Sequence, residues 1–206
     1  MSRRKLTTFA LMSLLTIGAL VVGCDESNYD QRTVVYVSNI NDGAPYFSDV
    51  LNQGDSIYYT DTDSIKSIDD YVEEDWIKVQ IHNKPYSSLV DAGGSSLGDF
   101  LVTGYDVEFV RKDGGPTPVP PFSGETSILV PCNTLVEAVI LFVPFSAKND
   151  PTLVLYSLHY TGLEIMSYAH ITFHGHEVQT TCNIDFSAGI SVNFGDPLGK
   201  TDTGEE

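Results

Sequence analysis

The chain has 206 residues, 42% of them hydrophobic and 19% charged, which is the composition of a globular protein and not of a disordered one. Eleven Lys and Arg stand against 28 Asp and Glu, a formal charge of −17; without the three N-terminal bases, 8 face the same 28 acids, a charge of −20. That balance excludes a protein that grips nucleic-acid phosphates through clustered bases and one that docks electrostatically on anionic lipid.

The N-terminus begins with Arg3, Arg4 and Lys5 and continues as an uncharged, mostly apolar run from Phe9 to Val22. As a helix this run would span about 21 Å, short of the roughly 30 Å of a bilayer core. Basic residues followed by a short apolar run read as a signal peptide, not a transmembrane helix. The run closes on Leu20-Val21-Val22-Gly23-Cys24. That ending resembles the lipobox of bacterial lipoproteins over the first 24 residues. The resemblance implies cleavage after Gly23, a mature chain starting at Cys24, and diacylglycerol on the Cys24 thiol. Two or more acyl chains make a stable anchor without a membrane span. The expected location is the cell envelope, facing the periplasm or the exterior. Asp25 and Glu26 resemble an enterobacterial inner-membrane retention signal, a rule that does not hold for all bacteria, so the choice of membrane stays open.

The organisation expected from this reading is a signal peptide over 1–23, a lipidated tether over 24–32, one domain over 33–195, and an acidic tail over 196–206. Within the domain the dominant period is two. Ile77, Val79 and Ile81 alternate with polar residues, as do Tyr105, Val107 and Phe109, then Ile171 and Phe173, then Ile190, Val192 and Phe194. Strands are predicted at 33–39, 56–60, 75–82, 101–111, 125–130, 136–145, 152–160, 167–174 and 184–194. Ala138–Phe145 and Leu153–Tyr160 are apolar throughout. They suit central strands covered on both faces, or strands with an interface on the outer face. Ser67–Trp76 has capping-box spacing and suits one helical turn. Gly, Pro and Asn clusters separate the runs. The class is all-β: an antiparallel sandwich of about eight or nine strands. The strand pattern resembles immunoglobulin-like and fibronectin-III-like envelope modules. The antibody-type order of Cys, Trp, Cys is not present, because Trp76 precedes both remaining cysteines.

Cys132 and Cys182 remain once Cys24 serves as the anchor, and an even pair in an exported domain suggests a disulfide. His170, His174 and His176 share parity on one predicted strand. His174 and His176 are the weak candidates for binding Zn²⁺ or Cu²⁺, provided that Gly175 bulges the strand and turns His176 toward His174. The plainer reading is polar residues on an outward face. Asp55, Asp61, Asp63, Asp69, Asp70, Glu73, Glu74 and Asp75 offer oxygen ligands for Ca²⁺, yet counting from Asp61 there is no Gly at loop position six and no acid at position twelve. Gly94-Ser95-Ser96-Leu97-Gly98 matches a nucleophile-elbow pattern in the wrong context, since a strand and not a helix follows it. Tyr58, Tyr59, Tyr86 and Tyr105 are candidates for a sugar- or protein-binding surface. No catalytic residue and no cofactor is predicted. The expectation is a non-catalytic binding, adhesion or structural module, held to the membrane by lipid, with a protein or glycan partner and no nucleic acid. The rival is an envelope metal-binding protein or enzyme that uses the acidic loop or the His170/His174/His176 strand.

Overall fold

A computed structural model describes residues 32–52, 56–59, 64–67, 70–86, 98–180 and 183–196. Cys24 and Cys182, Asp55, Asp61, Asp63 and Asp69, and Ser96 lie outside the described residues, as do the side chains of Tyr58 and Tyr59.

Ten strands are described: β1 (Thr33–Ile40), β2 (Tyr46–Asp49), β3 (Ser56–Tyr59), β4 (Ser64–Ser67), β5 (Asp75–Pro85), β6 (Phe100–Arg111), β7 (Phe122–Val130), β8 (Thr134–Val143), β9 (Glu164–Glu177) and β10 (Asn183–Gly195). One short helix, α1 (Phe145–Asn149), follows β8. The chain folds as an all-β sandwich. One sheet has three strands in the order β1-β5-β8, the other five in the order β2-β10-β9-β6-β7, and β3 and β4 form a separate hairpin. Pairing is antiparallel except between β2 and β10, which run parallel over Val192–Gly195.

Alternation puts one apolar set from each sheet into a common core. Ile77, Val79 and Ile81 of β5 and Ile140 and Phe142 of β8 meet Phe109, Ile171, Phe173 and Phe194 from the other sheet. The Phe109 ring lies 5.3 Å from Phe142, centroid to centroid across the two layers, and 5.5 Å from Phe194. Such aromatic pairs add about 0.5–1.5 kcal/mol each beyond their buried area. Val119, in the Pro-rich crossover between β6 and β7, is buried in the same cluster.

Three buried polar groups tie the layers together through hydrogen bonds that offset the cost of burying them, although Asn83 Oδ1 has no partner among the described residues. Glu177, at the end of β9, accepts the Arg32 and Thr33 amides at 2.7 and 2.9 Å and the Thr180 hydroxyl at 2.9 Å. Asn83 donates through Nδ2 to the Gly98 and Val130 carbonyls at 2.8 and 2.9 Å. Lys148 of α1 donates to the Asp49 carbonyl of the five-stranded sheet and to Asp75 Oδ1 of the three-stranded sheet, both at 2.6 Å.

Several expectations are corrected. Residues 152–160 form no strand: Leu155–Leu158 is a 3₁₀ turn with Leu155 and Leu158 buried. Buried residues three apart suit that turn, and the apolar run concealed the spacing. β8 stops at Val143 instead of 145, because Pro144 has no amide to donate and serves instead as the N-cap residue of α1. β8 is an edge strand and not a central one, and its outward Leu135 and Val139 are exposed. The expected helical turn at 67–76 is absent among its described residues: Tyr71 bridges Asn52 and Asp75 opens β5. β2 and β4 had no alternation long enough to be seen in the sequence.

Candidate binding face

The outward side chains of β6, β7, β9 and β10 form the broadest continuous described surface. Its upper half is a polar row that runs across all four strands. Ser123 of β7 donates to Asp106 Oδ1 of β6 at 2.5 Å. Asp106 Oδ2 lies 2.9 Å from His174 Nε2 of β9, and His174 Nδ1 lies 3.0 Å from Asp185 Oδ1 of β10. Two local features build this row. The ladder slips by one residue at Thr103, between Val102 and Gly104. Phe100 and Val102 therefore point inward before the slip and Tyr105, Val107 and Phe109 after it, which leaves Asp106 outside. Gly104 is the β6 partner of His174 and has no side chain to compete for the space, so the imidazole leans to Asp106.

The electrostatics follow from the contacts. Hydrogen bonds to Asp185 and then to Asp106 raise the His174 pKa above its ordinary value. As imidazolium, both ring N–H groups donate, one to each carboxylate. Asp106 is held below the usual carboxylate range by its bonds from Ser123 and His174. A nucleophilic serine needs a base that accepts its proton, with the acid behind that base. Here the order is Ser–Asp–His–Asp, so Ser123 is a positioning donor. A metal ion on His174 would have to displace a carboxylate from a ring nitrogen, and among the described residues no group of three or more His, Cys, Asp or Glu is placed to hold one.

The expected bulge at Gly175 is also corrected. β9 pairs with β10 without a slip from Glu164 to His176, so His176 keeps the same outward parity as His174 and is not turned toward it. The slip lies on β6 instead. Gly175 serves another purpose: it packs beneath the buried Phe100 ring, where a Cβ would sit 2.5 Å from Phe100 Cε1. His170 stands lower on the strand, between Glu108 and Gly189.

The lower half of the face carries an apolar patch among polar residues. Val110 and Tyr168 are direct cross-strand partners, and Met166 is the next outward residue of β9. All three are exposed, Val110 by 63%. The Tyr168 ring lies over Gly189 of β10, where any side chain would collide with it. Lys112 reaches Ser191 Oγ at 3.4 Å beside this patch.

The remaining candidates do not converge. Tyr105 is buried, not a surface tyrosine, whereas Tyr86 is exposed. Asp70 accepts the Tyr160 hydroxyl at 2.7 Å, Glu74 accepts Trp76 Nε1 at 3.2 Å and Asp75 binds Lys148, so the described part of the acidic stretch serves three separate contacts. Cys132 sits in the turn before β8, its amide donating to Asp99 Oδ1 at 2.9 Å. Sequence reasoning missed Asp106, Asp185 and Ser123. The outward parity of Asp106 was legible, Ser123 precedes the strand predicted at 125–130, and which residues meet His174 depends on cross-strand register. Among protein-family models, curated proteins and solved structures, none matches this chain.

Proposed function

We propose that this protein is a lipid-anchored component of the bacterial cell envelope whose sandwich is a non-catalytic binding module, and that the outer face of the five-stranded sheet is its recognition surface. The observation that carries this reading is the exposed Val110–Tyr168 pair, with Met166, on the same sheet face as the Ser123–Asp106–His174–Asp185 polar row, with the outward Glu108–His170 pair between them. Adjacent exposed apolar side chains on a rigid sheet mark an interaction surface, and a polar rim supplies register. The fully paired carboxylates and imidazole suit recognition better than proton transfer.

Two measurements test the two halves of the proposal. Cys24→Ser leaves the chain unprocessed or moves it from the detergent phase to the aqueous phase; a wild-type protein without lipid overturns the anchor. Val110→Asp with Met166→Asp abolishes co-sedimentation of the mature domain with purified cell-wall sacculi and outer-membrane vesicles, with the circular-dichroism spectrum unchanged. Equal sedimentation of wild type and variant overturns the choice of face.

A further inference from the structure

On the opposite side of the sandwich, a cleft of about 490 Å³ is lined by Val72, Glu73, Glu74, Trp76 and Phe145. Trp76 lies on the outer face of β5 and Phe145 is the first residue of α1. Both rings are about half exposed, at 53% and 46%. The two segments that carry them are fastened from below: Asp75, next to Trp76, binds Lys148, three residues after Phe145. The segments that carry the two rings are therefore held by the end of the β5–β8 ladder, where Asp75 pairs with Val143, and by the buried ion pair. Glu74 accepts the indole N–H at 3.2 Å, which fixes the ring and places a carboxylate at its edge. Glu73 joins it on the rim, and the whole chain adds a charge of −17.

Two half-exposed aromatic rings lining one cleft with carboxylates beside them attract one chemical class. The π-faces carry negative potential and favour a weakly hydrated cation, most of all over Trp. The carboxylates add Coulomb attraction and raise the local concentration of cations. An anion is repelled, and a neutral apolar ligand makes no use of the acids. A quaternary ammonium loses less hydration on entry than a primary ammonium of the same size. We infer that this cleft is a binding site for a small organic cation of the quaternary-ammonium class. The inference does not depend on the lipid anchor or on the opposite sheet face, and it stands or falls separately from them.

Trp76 is the only tryptophan in the chain, so its fluorescence reports on the site directly. The mature domain is titrated with choline and, in parallel, with 3,3-dimethyl-1-butanol, its neutral isostere. Choline is expected to change the emission saturably, with an affinity about tenfold better than the isostere, as cation–π attraction of this size gives. Phe145→Ala and Glu74→Gln each weaken the choline response several-fold without altering the fold, since both side chains lie at the surface. Equal responses to choline and the isostere would mean a merely apolar cleft and overturn the assignment. No saturable response to either overturns it as well. A response to phosphatidylcholine vesicles with none to free choline assigns the surface to a membrane headgroup and also overturns it.

Discussion

Lys148 Nζ lies 2.6 Å from Asp75 Oδ1, with the lysine side chain 1% exposed and the aspartate 12%. The Asp75 carboxyl is raised above its ordinary range by burial, against the pull of Lys148 and the hydrogen bond from Ser48. The pair sits where α1, β2 and β5 meet, and the Asp49 carbonyl takes a second Lys148 proton. Its effect is to fix α1 against both sheets.

Removing one member of a buried ion pair strands the other without solvent. Lys148→Met should therefore lower unfolding stability by about 3–5 kcal/mol. Lys148→Met with Asp75→Asn should recover more than half of that loss, because the stranded charge is gone and Ser48 keeps an acceptor. Urea unfolding of the mature domain gives both values. Equal losses in the single and double variants would mean that packing, not charge, holds the corner.

Gly175 is required by close approach, not by backbone freedom. A methyl there would meet the Phe100 ring and the Leu101 carbonyl oxygen. Neither can withdraw, since Phe100 is fully buried and the carbonyl belongs to the ladder. Gly175→Ala should cost about 3 kcal/mol, at the upper end of overpacking penalties. A melting temperature unchanged from wild type would contradict the packing described.

His174 should titrate above its ordinary value of 6.5, because Asp185 and Asp106 both favour the imidazolium. The sign follows from a folded pKa raised above the unfolded one. The contribution to stability is complete below the unfolded value and is lost as pH rises through the folded value. Asp106 acts in the other sense: its lowered pKa adds stability above the unfolded carboxylate value, lost as pH falls through the folded one. The row is thus firmest in mildly acidic solution. His174 and its partners are more than a third exposed, so solvent screening keeps the effect small. NMR titration of the imidazole checks it, and Asp185→Asn should bring the value back toward 6.5. An Asp185→Asn titration that superimposes on wild type would refute the contact.

Cys132 precedes β8 and Cys182 immediately precedes β10 in sequence. The starts of β8 and β10 lie at one end of the sandwich, where Asn83 and Glu177 fasten the layers. Alkylation of the denatured, unreduced mature domain should label neither thiol. If the bond closes this loop of about 50 residues, reduction should lower stability by up to roughly 4 kcal/mol on the chain-entropy model. Stoichiometric labelling of both cysteines would rule the bond out.

The period of two was enough to reveal the class, because alternation reports burial on one face whatever the partner strand is. It located most strands to within a few residues and gave the inward and outward sets of β5, β6, β9 and β10 correctly. It failed at 152–160, where unbroken apolarity carries no period and Leu155 and Leu158 could equally belong to a strand or a turn. It also failed for β8, since nothing in Thr134–Val143 tells whether a strand has one neighbour or two. The outward histidines were legible in the sequence, and their partners were not. Asp106 and Asp185 stand 68 and 11 residues from His174, and only register brings them to its two ring nitrogens: the unbroken β9–β10 ladder for Asp185 and the slip at Thr103 of β6 for Asp106. Nothing in the local sequence marks Lys148 for burial; α1 turns it under β2 and β5. Local sequence determines the face on which a side chain lies, because that depends on backbone geometry over a few residues. Which side chain it meets depends on pairing between distant segments, and the tertiary structure alone decides that.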